Sequence, residues 1–127
     1  YYDIKKGTVH YANAGHPQPF CMNREGVLRK FGVVTGAPLG ISDFSGYEEK
    51  KETLRINETL VLYTDGFTEA RTPSGEFLNE KRFQDFVKDQ SQMSPKRLSE
   101  ILFQRVTNFQ QKKLADDLTL LVLRRSC

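Results

Sequence analysis

Leu60-Val61-Leu62-Tyr63-Thr64-Asp65-Gly66-Phe67-Thr68-Glu69-Ala70 is the stretch that decides the fold. Its opening run has no apolar–polar alternation, which is the pattern of a strand covered on both faces, and Asp65-Gly66 ends it as a turn. A second stretch mirrors it: in Ala115-Asp116-Asp117-Leu118-Thr119-Leu120-Leu121-Val122-Leu123 the carboxylates stand just before a run of the same kind. The two runs predict central strands over 60–64 and 118–123, with Asp65 and Asp116 each where a strand meets a loop. Two carboxylates so placed can share a metal ion.

Working outward, residues 1–4 and 8–13 flank Lys5-Lys6-Gly7 and predict a hairpin whose turn uses a positive φ at Gly7. A second hairpin is predicted from 18–22 and 27–31 around Asn23-Arg24-Glu25-Gly26. The segment 32–46 holds four glycines and a proline and reads as an irregular loop around Pro38-Leu39-Gly40. Residues 47–54 are charged at most positions, as an exposed edge strand is. Arg71 to Glu76 reads as a loop. A helix is then predicted from about Asn79, a plausible N-cap, with Phe83, Phe86 and Val87 on one face. Ser94-Pro95 predicts a second helix start, and Leu98, Ile101, Leu102, Val106 and Phe109 continue an apolar stripe. Strands, then two helices, then a returning strand imply an α+β layer arrangement in one structural unit.

A length of 127 residues suits one domain. With 19 basic and 16 acidic side chains and a net charge of +3, the composition is that of a mixed surface rather than a nucleic-acid-binding stripe. No apolar run approaches the roughly 20 residues that cross a bilayer. Cys21 and Cys127 have neither a disulfide framework nor metal-ligand spacing, which suits a reducing cytoplasm.

The two Asp-bearing stretches, together with Tyr11-Ala12-Asn13-Ala14-Gly15-His16-Pro17 and Pro38-Leu39-Gly40, resemble the metal-dependent protein phosphatases of the PPM type, in the bacterial branch named after stage II sporulation protein E. The likeness runs from Tyr1 almost to the C-terminus with the motifs in the family's order. It implies an α-β-β-α sandwich, two packed sheets with helices outside each. It also implies that Asp65 and the first Asp of Asp116-Asp117 are catalytic metal ligands for two Mn²⁺ or Mg²⁺ ions, and that the enzyme hydrolyses phosphoserine and phosphothreonine directly. Two further family segments, of the Gly-Gly-Asp and Gly-Asp-x-x-Gly types, have no counterpart here. The chain therefore reads as the C-terminal portion of one phosphatase domain with N-terminal strands missing, expected to be inactive alone and to associate into a homo-oligomer through uncovered edges and apolar faces.

Hard divalent cations favour oxygen ligands, which Asp65 and Asp116 supply. Asp117 is either an orienting neighbour or a solvated carboxylate. Gly66 is expected to let the backbone turn away below the metal. His16 reads as a loop histidine, or as a pH-tunable group near the site. Glu69 and Arg71 read as solvated loop charges, and Thr119 either fixes the carboxylates through its hydroxyl or simply belongs to its strand. The substrate implied by the resemblance is a phosphorylated anti-sigma-factor antagonist or related switch protein, with no nucleic-acid or membrane partner. Two rivals remain: a non-catalytic regulatory module, or pseudophosphatase, and a carboxylate-based nuclease or cyclase, against which the Ala-Gly-His and Pro-Leu-Gly segments speak.

Overall fold

In a computed structural model, which describes residues 1–41, 46–110 and 117–127, the Leu60 run becomes a strand covered on both faces within a layered sandwich. The described elements are β1 (Tyr2–Asp3), β2 (Thr8–Tyr11), β3 (Phe20–Met22), β4 (Leu28–Lys30), β5 (Lys50–Thr53), β6 (Thr59–Tyr63), α1 (Asn79–Lys88), α2 (Pro95–Gln110) and β7 (Leu120–Arg124). They form a three-stranded sheet in the order β1-β2-β5 and a four-stranded sheet in the order β4-β3-β6-β7. Every pairing is antiparallel. Phe20 pairs with Val61 and Met22 with Thr59, while Tyr63 pairs with Leu120 and Thr59 with Arg124.

The missing alternation in β6 has a direct cause. Val61 and Tyr63 point into a core shared with the helices, whereas Leu60 and Leu62 point toward the other sheet. Both faces are covered, so every position is apolar or nearly so. On the helix side, Phe83 and Val87 of α1 and Leu98, Leu102 and Val106 of α2 are fully buried against the sheet. Phe83 is the centre of an aromatic group, with ring centroids 4.8 Å from Tyr63, 5.2 Å from Phe67 and 6.2 Å from Phe20. Burying each such side chain contributes about 1.5–3 kcal/mol. Ser94 Oγ accepts the Arg97 N–H at 3.3 Å as expected of a helix start, whereas Leu78, not Asn79, stands at the N-cap of α1, and Asn79 opens the helix with φ 57° and its Oδ1 accepting the Arg82 N–H at 3.0 Å.

The contact between the sheets is smaller and partly polar. Cys21, Phe31, Leu54 and Leu60 form its buried apolar part. Beside them Arg29 forks onto Glu58, with Nε 2.9 Å from Oε1 and Nη2 2.8 Å from Oε2, and reaches Glu52 at 3.4 Å. Glu52 in turn accepts the Tyr11 hydroxyl and the Gly32 N–H, both at 2.9 Å. The Arg29 guanidinium holds the Glu58 carboxyl below the usual carboxylate range, and Glu58 raises Arg29 in return.

Both predicted hairpins form, with Gly7 and Gly26 at positive φ, and β5 is the edge strand expected from its charges. The 118–123 run has the composition of a central strand, and among the described residues β7 lies at an edge of its sheet with Leu121 56% exposed, an uncovered edge of the kind expected. Among the described residues nothing pairs with the outer side of β7, and the second sheet does not extend over Leu121. The two helices cover one face of the four-stranded sheet, giving three layers: sheet, sheet, helices. Among the described residues no helix is long and apolar enough to cross a membrane.

Candidate active site

β6 delivers Asp65 to one end of the four-stranded sheet. Asp65 opens a 3-10 turn, Asp65–Phe67, in which its carbonyl accepts the N–H groups of Thr68 and Glu69 at 2.8 Å and the Thr68 hydroxyl at 3.0 Å. Phe67 anchors the turn from below, fully buried against Phe83 and 5.2 Å from the Phe103 ring. The backbone of Asp65 is thus fixed while its side chain stands exposed.

Thr64 ties this turn to the second acidic stretch. Its N–H donates to the Thr119 carbonyl at 3.1 Å, its hydroxyl accepts the Thr119 N–H at 3.0 Å, and the same hydroxyl donates to the Asp117 carbonyl at 3.0 Å. Thr119 therefore acts through its backbone, and the hydroxyl that organises the pair belongs to Thr64. Gly66 also differs from its expected role: it lacks a left-handed φ, and glycine is needed because a Cβ there would lie 2.5 Å from the Asp117 carbonyl oxygen and 3.0 Å from Leu118. The absence of a side chain lets the Asp65 turn press against the start of the returning strand.

Asp117 is exposed at this junction. Asp116 lies outside the described residues.

A third motif reaches the same end of the sheet. The Phe20–Val61 register places the loop before Phe20 beside the turn after Tyr63, and the Tyr63 hydroxyl donates to the Gln18 carbonyl at 3.4 Å. Burial pushes the Tyr63 phenol up to about 12, so it remains a donor at neutral pH. His16 is exposed in that loop. Its backbone is set by Asn13, 6% exposed, whose Oδ1 accepts the His16 N–H at 2.8 Å and whose Nδ2 donates to the His16 carbonyl at 3.1 Å. The Asn13 backbone reaches the next loop as well, its carbonyl accepting the Thr35 N–H at 2.9 Å and its N–H donating to Thr35 Oγ1 at 2.8 Å. Pro38 packs on Gly15, where a Cβ would meet Pro38 Cγ at 2.7 Å. Ala-Gly-His and Pro-Leu-Gly are thus one packed unit. A cavity of about 240 Å³, lined by Leu60, Leu62, Phe31, Val9 and Asn13 among others, lies beneath it.

The structure therefore brings Asp65, Asp117 and the His16 loop to one end. Arg71 lies over the Phe77 ring, 4.0 Å from its centroid, and Glu69 is exposed. Thr64 and Asn13 were not singled out from sequence. The available signals were a threonine immediately before Asp-Gly at a strand end, and an asparagine in a turn-forming run. Among the described residues no three His, Cys, Asp or Glu side chains converge on one point. The fit to a hard divalent cation lies in the donors: an exposed carboxylate on a pinned backbone, pressed against the strand start that follows Asp116.

Residues 1–126 match the family model described as Stage II sporulation protein E (SpoIIE). The chain is 31% identical over 124 residues to "Phosphoserine phosphatase RsbU" of Bacillus subtilis, covering 98% of this chain and 37% of that protein. It is 35% identical over 83 residues to "Protein IcfG" of Synechocystis sp., covering 65% of this chain and 13% of that protein. The chain thus spans well under half of either relative. Among solved structures, the RsbU and RsbW domains of Rv1364c from Mycobacterium tuberculosis superpose with a TM-score of 0.77 at 26% identity, over 95% of this chain and 33% of that one. The phosphatase domain of SpoIIE from Bacillus subtilis superposes with a TM-score of 0.75 at 17% identity, over 100% of this chain and 56% of that one, a likeness of fold.

Proposed function

The chain belongs to the SpoIIE family and has the fold of its PP2C-type phosphatase domains, and on that footing we propose that the protein carrying it is a metal-dependent protein serine/threonine phosphatase. The observation that supports this best is the Thr64 junction, which fixes the Asp65 turn against the strand that follows Asp116 and Asp117. In this reading Asp65 and Asp116 hold Mn²⁺ or Mg²⁺, and Asp117 and His16 are supporting groups. When bound, the ions supply Lewis acidity and an activated water for phosphoryl transfer. Thr64 and Gly66 set the distance between the carboxylate-bearing segments, and Asn13 sets the His16 loop. The substrate is a phosphorylated switch protein of the anti-sigma-factor-antagonist type, acted on in the cytoplasm. The 127-residue chain by itself supplies only part of the carboxylate set and is inactive alone. It self-associates through the outer edge of β7 and the exposed Leu121, which light scattering over a concentration series would register.

The test is hydrolysis of a phosphoserine peptide by the full-length protein with Mn²⁺, with calorimetric Mn²⁺ titration alongside. Asp65→Asn brings turnover to background and weakens Mn²⁺ binding while the fold persists, and Asp117→Asn does less. Thr64→Val lowers kcat with little change in KM, since it shifts the carboxylates and not the peptide. A near-normal rate in Asp65→Asn would remove that residue from the site.

A further inference from the structure

The end of the sandwich remote from Asp65 is basic. The turn Asn23-Arg24-Glu25-Gly26, the β5–β6 link with Arg55, and the exit of β7 with Arg124 and Arg125 all meet there, because Met22 and Arg124 both pair with Thr59. The Lys5-Lys6-Gly7 turn joins them: the Gly7 carbonyl accepts the Leu54 N–H at 2.8 Å, and the Arg125 guanidinium occupies the space where a Gly7 side chain would stand.

These cations are poorly neutralised. Arg124 donates to Thr59 Oγ1 at 2.7 Å and to the Ser91 carbonyl at 3.2 Å, both uncharged, and Arg125 donates to the Leu54 carbonyl and to the main-chain oxygen of the last residue, Cys127, both at 3.0 Å. Arg24 and Arg55 are exposed, and neither guanidinium has a hydrogen-bond or ion-pair partner among the described residues. The carboxylates nearby are largely committed, Glu58 to Arg29 and Asp3 to Lys6, which leaves Glu25. Between Arg24 and Arg55 lies an open cavity of about 300 Å³, lined also by Asn23, Asn57, Glu25 and Glu58, with Ile56 on its wall 57% exposed. Burial, and then the charge of Arg24, hold Arg124 below its ordinary value, which fits like charges crowded together.

We propose that this end is a docking surface for an acidic protein segment, a run of Asp and Glu whose carboxylates are taken by Arg24 and Arg55. Guanidinium groups suit this role because their planar fork matches a carboxylate with two parallel hydrogen bonds. The Asn side chains add neutral donors, and exposed Ile56 offers an apolar contact that a peptide can use. No aromatic ring lines the cavity for a base to stack on, which speaks against a nucleic-acid strand. The surface is distinct from the phosphatase reading, since it stands at the opposite end of β6 and needs no metal.

A fluorescein-labelled oligoglutamate peptide, followed by anisotropy, tests the assignment at ionic strengths of about 0.01 M and about 0.15 M, where the Debye length falls from roughly 30 Å to roughly 8 Å. Binding should be clear at the lower value and weaken at the higher. Arg24→Glu with Arg55→Glu should weaken it about tenfold or more, and Arg24→Gln with Arg55→Gln should weaken it in the same direction with an unchanged thermal transition. Lys50→Glu with Lys51→Glu makes the same charge change at the other end of β5 and should alter binding by no more than about twofold. Equal losses in the two charge-reversal pairs would reduce the effect to net charge and overturn the proposal. So would absence of binding at low ionic strength, or tighter binding of a single-stranded oligonucleotide through the same arginines.

Discussion

The two faces of the four-stranded sheet are built on different physics. Among the described residues the helix-facing side buries twelve in one apolar cluster, whereas the side facing the other sheet buries four and relies on the Arg29–Glu58–Glu52 network beside them. The first face is held by area and shape, with aromatic rings meeting at its centre. The second is held by direction, because a guanidinium that must reach Glu58 after β5, Glu52 within β5 and the Thr53 carbonyl at once admits few relative positions of the two sheets. The apolar cluster supplies most of the stability, and a half-buried ionic network fixes how the layers sit.

The largest effect is expected on the apolar face. Phe83→Ala removes the ring at the centre of the aromatic group, and a fully buried Phe→Ala change typically costs about 3–5 kcal/mol. Urea unfolding of the chain should show a midpoint shift of that size with little change in slope. A loss below about 1 kcal/mol, the scale of an exposed substitution, would mean that the helices do not close this core.

On the polar face, Glu58→Gln keeps the shape but withdraws the charge that Arg29 faces, and should cost about 1–3 kcal/mol. The pH dependence gives the sign independently. Arg29 lowers the folded-state pKa of Glu58, so the carboxylate contributes stability that is present above its unfolded pKa and is lost as pH falls through the folded value. Wild-type and Glu58→Gln stabilities should therefore differ most near neutrality and converge on acidification below the ordinary carboxylate range. A difference that stays constant with pH would assign the loss to packing instead of charge.

The apolar face was legible in the sequence and the polar face was not. Phe83, Val87, Leu98, Leu102 and Val106 repeat at helical spacing, and an unbroken run such as Leu60 to Tyr63 reports that both sides of a strand are covered. Arg29 and Glu58 stand far apart in sequence among ordinary charged residues, and only the pairing of β3 with both β4 and β6 brings them together. β7 shows the limit of composition: it has the apolar content of a central strand, but content specifies how much surface seeks cover and not which neighbour supplies it. At the candidate site, where Asp116 lies outside the described residues, the Asp-Gly turn was legible as a strand end and Asp117 stands ahead of β7 as read. Their joining by Thr64 depends on a register that no single segment encodes. Charge behaves in the same way, since a mixed composition concealed the collection of Arg24, Arg55, Arg124 and Arg125 at one end of the sandwich.

The smallest effect concerns which face opens first, and the two cysteines report it. Cys127 is exposed, while Cys21 is fully buried on the side facing the second sheet, and burial pushes its thiol up to about 12. A thiolate-selective reagent at neutral pH should label Cys127 at once and Cys21 only through opening of the fold, because the thiolate is the reactive form. If the sheets separate from each other more readily than the helices leave the sheet, Glu58→Gln should accelerate Cys21 labelling by more than its loss of global stability accounts for. Phe83→Ala should accelerate it only in proportion to that loss. Labelling that tracks global stability in both variants would mean that the layers part in one cooperative step, with the ionic network and the aromatic cluster acting as parts of a single core.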